Sequence, residues 1–333
     1  MRCTAVWSVA IGQQHMLLHL TAAPHPPTPN APRARVATPP ARARGALPRA
    51  APRHSRGLHR ARARADAVAG PTSSGKTTFA TKLSMYLRNL GYATRALTVD
   101  HYYLPLDRQP KYQARKLRSD VDYDAIESMD AELVNAHINA LLAGETVNTP
   151  VYNMKTGYRD GPGTPFQLPG GGLLVIEGIH ALNPDFLRSV PPSRVFKVYI
   201  SPLSSLQLDE VHAIKTTDHR LLRRMSRDYL FRGHSASRTL SMWSNVRRGE
   251  HTWIFPHQDA VDCIVNSAME YELGVLKPLV EPLLAGVPPD DAHYDKARSL
   301  LALLGHFHPI ASSRVPSTSL LREFIGEGAF DCH

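Results

Sequence analysis

The residues best equipped for chemistry form one run, Gly70-Pro71-Thr72-Ser73-Ser74-Gly75-Lys76-Thr77-Thr78, which satisfies the spacing GxxxxGK[ST] from Gly70 to Thr77. Glycines let such a backbone turn tightly, so successive amide N–H groups converge on one concavity that holds phosphate oxygens. A lysine at position 76 reaches the β- and γ-phosphates of a nucleotide, and the Thr77 hydroxyl suits Mg2+. Two carboxylates end apolar runs. Asp100 follows Thr94–Val99 (TRALTV) and suits a general base toward an attacking hydroxyl; a strand-ending turn is the plainer reading. In Leu173–His180 (LLVIEGIH) an apolar strand ends in Glu177 and Gly178, and Glu177 suits Mg2+, directly or through water; a surface carboxylate past a strand is its plainer reading. Arg220, Arg223, Arg224 and Arg227 fall at i, i+3, i+4 and i+7 on one helix face, with Arg232 beyond. Only Asp218 and Asp228 stand near them in sequence. The stripe is either a solvated basic face or a set of cations awaiting an anion, and a phosphoryl group in transfer is such an anion.

These residues need elements to hold them. Thr78–Leu90 carries apolar residues at 79, 83, 86, 87 and 90, a helical period, so the loop opens onto a helix. The strand before it must be Ala65–Ala69, which is short and lacks the run of β-branched residues that a buried parallel strand prefers. Further strands are expected at Thr94–Val99, Gly172–Ile176, Val195–Ile200 and Ala260–Val265, and helices at Met129–Leu142, Tyr271–Leu284 and Tyr294–Leu304. That alternation predicts an α/β fold, a doubly wound parallel sheet of P-loop NTPase type. Residues 66–290 form the expected chemical domain, and 291–333 a helical C-terminal extension for packing or assembly.

The formal net charge of +10 is misleading until it is located. Residues 1–65 hold eleven arginines and no acid, leaving 28 Lys and Arg against 29 Asp and Glu in the rest. The body is nearly neutral, which disfavours a nucleic-acid-binding domain. Residues 21–65 are rich in Ala, Pro and Arg, and residues 1–65 read as a disordered basic leader, a transit peptide for chloroplast or mitochondrion. The second reading is a disordered extension or an artefact of gene prediction, without a transit role, and the protein would then be cytoplasmic; an arm touching nucleic acid or membrane is the third reading. No apolar run is long enough for a membrane span. Cys3, Cys263 and Cys332 lie too far apart for a disulfide framework or a CxxC metal site.

The motifs together resemble those of the uridine kinase/phosphoribulokinase family of P-loop kinases, closest to the bacterial-type uridine kinase-like proteins. The likeness rests on GPTSSGKTTFA at 70–80, VDHYY at 99–103, VIEGIHALN at 175–183 and RLLRRMSRDYLFRGHSA at 220–236. It continues through WSNVRRGEHTWIFPHQDAVDCIVNSAMEYEL at 243–273 and PSTSLLREFIG at 316–326. The resemblance implies a nucleoside kinase-like fold, ATP and Mg2+ as cofactors, and a sugar 5′-hydroxyl as acceptor. It implies that Lys76 and residues 70–78 hold ATP, that Thr77 and Glu177 serve Mg2+, and that Asp100 is the catalytic base. Arg227 and Arg232 match lid arginines around the triphosphate, in a lid at 232–237 hinged on Gly233. Tyr103, Asp124 and Tyr152 match residues around the nucleoside's base and ribose. Eukaryotic-type uridine kinases carry a pyrimidine-contacting histidine after the matched tyrosine, where this chain reads Asn153-Met154-Lys155-Thr156-Gly157.

The expected function is ATP-dependent phosphorylation of a pyrimidine nucleoside, uridine first, in a chain that can form a homo-oligomer. A phosphoribulokinase-like kinase acting on a pentose phosphate is the first alternative, and an ATP-binding regulator without transfer the second. Neither an NKxD nor an LSGGQ-type sequence is present, which disfavours GTPases and transporter ATPases.

Overall fold

The computed structural model describes residues 9–11, 14–16, 64–109, 125–154, 156–188, 190–204, 206 and 213–330. The chain divides into two compact units, Met1–Ala61 and Arg62–His333. Of the first, two three-residue strands are described, Val9–Ile11 and Gln14–Met16, paired antiparallel. The leader reading otherwise lies outside the described residues, and so does Asp124.

The second unit is built on five parallel strands: β1 (Arg64–Ala69), β2 (Thr94–Thr98), β3 (Leu173–Glu177), β4 (Val195–Ser201) and β5 (Cys263–Asn266). Their order is β5-β4-β1-β3-β2. Such a sheet needs a crossover between neighbours, and the crossovers carry helices. These helices include α1 (Lys76–Asn89), α2 (Ala131–Leu142), α3 (Thr216–Arg232) and α4 (Ala236–Gly249). Then come α5 (Glu272–Ala285), α6 (Tyr294–Gly305) and the single turn α7 (Arg322–Ile325). The doubly wound α/β architecture is as the alternation predicts.

The weak candidate strand is the central one. β1 is flanked by β3 and β4 along its length. Ala65, Ala67 and Ala69 alternate into a buried apolar cluster with Leu97, Leu174 and Ile176. Ladders on both edges and burial on that face decide its state, which outweighs the low strand preference of alanine.

A second apolar cluster joins α3–α7: Leu221, Met225, Leu276, Leu300, Leu321 and Phe324 are all essentially inaccessible. Residues 297–325 thus contribute to one core with α3, α4 and α5. Among the described residues no helix is long and apolar enough to cross a membrane.

Candidate active site

Parallel register levels the strand ends. Val68 of β1 and Thr98 of β2 both pair with Glu177 of β3. The 70–75 loop after β1, Asp100 after β2 and Glu177 ending β3 therefore open on one carboxyl edge, where ligands sit in open α/β sheets. Gly75 caps α1 with φ of 88°, a left-handed conformation that a side chain would strain. Gly178, at φ of 154°, lets the ends of β2 and β3 close on each other. A Cβ there would meet Val99 Cγ2 at 2.2 Å and Asp100 Oδ1 at 3.0 Å.

Around this edge the structure gathers Lys76, Thr77, Asp100 and Glu177. Thr77 Oγ1 donates to Glu177 Oε1 at 3.3 Å, and Lys76 Nζ donates to the Pro71 carbonyl at 3.2 Å. Ser73 Oγ, Ser74 Oγ, Asp100 Oδ1 and Glu177 Oε2 are buried with no hydrogen-bond partner. Buried polar atoms left in that condition are costly unless a ligand uses them. Burial pushes the Glu177 carboxyl well above its ordinary range, the Asp100 charge adds to this, and Lys76 pulls it back. A hydroxyl beside a buried carboxylate, with a second carboxylate close by, fits Mg2+, which takes one or two carboxylates and fills its shell with water and phosphate oxygens. Among the described residues no group of three or more His, Cys, Asp or Glu forms a self-sufficient metal cage.

The first half of the arginine stripe, Arg220 and Arg223, is neither solvated nor without acids. Residues 219–226 of α3, two full turns, are buried all round, and Arg220 and Arg223 are inaccessible. Their neutralising acids come from far along the chain. Arg220 pairs with Glu250, and Arg223 with Glu272, each through two nitrogens. Asp218, expected to neutralise the stripe, binds Lys296 instead at 2.6 Å. The spare guanidinium donors hold the back of the phosphate loop. Arg220 Nη1 reaches the Thr72 carbonyl at 3.2 Å, and Arg223 Nη1 reaches those of Ser73 and Ser74 at 3.3 and 3.4 Å. A peptide whose carbonyl is held behind the loop turns its amide toward the other side.

Burial works against ionisation of Glu272, yet Arg223 and His219 outweigh it and hold the carboxyl at about 2, against an ordinary 4.5. A carboxylate depressed on folding contributes stability that is complete above its unfolded value and lost as pH falls through the folded one. Urea titrations from pH 5 down to pH 2 therefore have an expected result. The stability gap between wild type and Glu272→Gln narrows by roughly 3 kcal/mol, at about 1.4 kcal/mol per pKa unit.

Farther along α3, one buried carboxylate serves three cations. Asp228 contacts Arg224, Arg227 and Arg232 at 3.1, 3.3 and 3.1 Å. Burial opposes its ionisation, but these guanidiniums prevail and lower its pKa. Arg232 is pushed down to about 10, first by Arg227 and then by burial, while Asp228 and Asp100 pull it back. It stays protonated at neutral pH, and the Asp100 carboxylate favours its charged form. Residues 232–237, expected as a lid, form a tight corner between helices. Gly233 ends α3 in a left-handed conformation, the His234 amide satisfies the Asp228 carbonyl at 3.1 Å, and Ser235 caps α4.

On the opposite flank Tyr103 and Tyr152 come together, their ring centroids 5.4 Å apart. His101 Nδ1 accepts from the Tyr152 amide at 3.2 Å. Arg159, passed over in the sequence, ties this flank together by donating to the carbonyls of Tyr102 and Tyr103 and pairing with Asp130 at 3.1 Å. Leu106 packs against Gly157, its Cδ1 2.2 Å from where a Cβ would stand.

The chain is similar to known proteins over much of its length. The profile of the Phosphoribulokinase / Uridine kinase family matches residues 66–273. A uridine kinase of Halobacterium salinarum is 26% identical over 199 residues, 60% of this chain and 77% of that protein. A uridine kinase of Staphylococcus aureus is 26% identical over 200 residues, 60% of this chain and 84% of that protein. The solved structure of a possible uridine kinase from Bacillus stearothermophilus aligns with a TM-score of 0.32 and 20% identity, covering 40% of this chain and 68% of that one. The matched span runs from the central strand to the start of α5 and takes in the phosphate loop, both carboxylates and the arginine helix; the chain belongs to the phosphoribulokinase/uridine kinase family of kinases.

Proposed function

We propose that this kinase transfers a phosphoryl group from ATP to the 5′-hydroxyl of a pyrimidine nucleoside, with uridine the first candidate. One observation carries the reading: Asp100 Oδ1 is buried without a partner on the same strand edge as the phosphate loop. Such an oxygen suits accepting the hydroxyl proton as the new O–P bond forms. Residues 70–78 cradle the phosphates through their amides, and Lys76 reaches the β- and γ-phosphates. Arg227 and Arg232, in excess over their one carboxylate, balance charge on the transferring group. Thr77 and Glu177 would hold Mg2+, which supplies neutralisation of the phosphate oxygens. Tyr103 and Tyr152 offer an aromatic wall to the acceptor, and Asp124 its ribose contact.

The segment after Tyr152 favours a second reading. It carries no histidine from Asn153 to Gly157, so the base contact of the eukaryotic-type enzymes has no counterpart in it. A pentose phosphate needs no base contact. Radiolabelled transfer to uridine, cytidine and ribulose 5-phosphate separates the readings. Phosphorylation of uridine is expected. Transfer to ribulose 5-phosphate alone would favour the sugar-phosphate reading, and ATP binding without transfer to any acceptor would favour a regulator.

A further inference from the structure

The C-terminal segment touches the phosphate-loop helix directly. Thr78 is the third residue of α1, where an amide N–H has no partner within the helix. Its N–H and its Oγ1 both donate to one oxygen, Glu323 Oε2, at 3.2 and 2.8 Å. Around this contact the segment is anchored at three further points. Lys82 Nζ donates to the Thr318 carbonyl at 2.8 Å, and Ser226 Oγ to the Phe324 carbonyl at 2.9 Å. Leu320 lies on Gly75, its Cδ2 2.3 Å from where a Cβ would be. Phe324 is fully buried beneath the Arg223 guanidinium, 4.9 Å from its ring centre. Thr78 is 1% exposed and Glu323 9%.

Amides and hydroxyls at the start of a helix that follows a phosphate loop are the donors such loops offer to phosphate oxygens. A carboxylate is also an oxygen anion and takes the same donors. Two anions cannot share the Thr78 pair, and their like charges repel at that range. The Glu323 charge already bears on Glu177, so it stands within the field of the site. We propose that Glu323 is a built-in competitor for the nucleotide: its carboxylate occupies the Thr78 part of the phosphate site and must swing away before the phosphate chain can seat there. The backbone anchors need not move, because rotation of one side chain clears the donors. Apparent nucleotide affinity is then the intrinsic affinity reduced by the fraction of molecules with Glu323 turned out. The inference rests on the kinase reading, because it needs a phosphate chain in this loop.

Calorimetry with Mg2+ and a non-hydrolysable ATP analogue tests it on full-length wild type, Glu323→Gln and Glu323→Ala, with melting curves to establish that each variant is folded. The glutamine keeps an acceptor but loses the charge; the alanine loses both. Affinity is expected to rise from wild type to Gln to Ala, by about tenfold overall if Glu323 is turned out in about a tenth of wild-type molecules. Equal or weaker binding by the folded variants overturns the proposal and makes Glu323 a support of the loop. A crystal structure of the wild type with the analogue gives a test free of any folding defect. Glu323 is expected beyond hydrogen-bond distance of Thr78, and a carboxylate still on Thr78 beside bound nucleotide overturns the proposal. Absence of binding in wild type and variants alike overturns the kinase reading itself, and this inference with it.

Discussion

Asp100→Asn is expected to lower turnover by about 10²–10⁴-fold, the range attributed to a positioned proton acceptor, while leaving nucleotide binding near the wild-type value. Asparagine keeps the shape and the oxygen but cannot take a proton. Asp100 Oδ1 has no hydrogen-bond partner among the described residues, so replacing that oxygen frees no buried donor there. Its charge acts on two neighbours, disfavouring ionisation of Glu177 and favouring the charged state of Arg232. Both effects disappear in the variant, which leaves unmoved the backbone that Gly178 and Val99 define. Rapid-quench measurement of the phosphoryl-transfer step, beside calorimetry with an ATP analogue, separates chemistry from binding. A transfer rate close to wild type would falsify the assignment of Asp100 as the base. A parallel loss of nucleotide binding would instead make it part of the phosphate site.

What the sequence could reveal follows from how local each feature is. The phosphate loop is legible because its work is done by consecutive residues, and Asp100 and Glu177 because an apolar run that stops at a carboxylate marks a strand end. β1 reads poorly because what makes it a strand is its two neighbours, β3 and β4, at positions 173–177 and 195–201. The arginine stripe reads as unneutralised for the same reason. Glu250 and Glu272 lie 30 and 49 residues from their partners, and only folding brings them together. Glu250 also begins a π-helical turn, Glu250–Ile254, a local irregularity with no reliable sequence signal. Glu323 is farther still, 245 residues from Thr78. Its motif, PSTSLLREFIG, was visible, but nothing in its residue types said which surface it would meet.

The buried pairs behind the loop permit a second prediction of large effect, one that distinguishes holding the fold from holding the loop. Arg223→Met leaves Glu272 inaccessible with its guanidinium partner gone and the His219 imidazole, Nε2 at 2.8 Å, its remaining neighbour. Breaking a buried pair from one side costs about 3–5 kcal/mol, and at about 2–4 °C per kcal/mol for a domain near this size the melting temperature falls by roughly 10 °C. Removing the second charge as well, in Arg223→Met with Glu272→Gln, relieves the orphaned carboxylate, and an apolar replacement of a buried pair is often close to neutral. Most of the lost melting temperature is therefore expected to return in the double variant. The grip on the Ser73 and Ser74 carbonyls does not return, because no donor takes the place of Nη1. Hydrogen bonds from a charged donor contribute about 1.5–3 kcal/mol each, so a loop released at those two carbonyls is expected to raise the KM for ATP by about tenfold or more in both variants. If the double variant recovers its melting temperature and its KM together, the arginine only fills the core. If stability returns and KM does not, the guanidinium shapes the phosphate cradle from behind, which is what its position between Glu272 and the loop carbonyls leads one to expect.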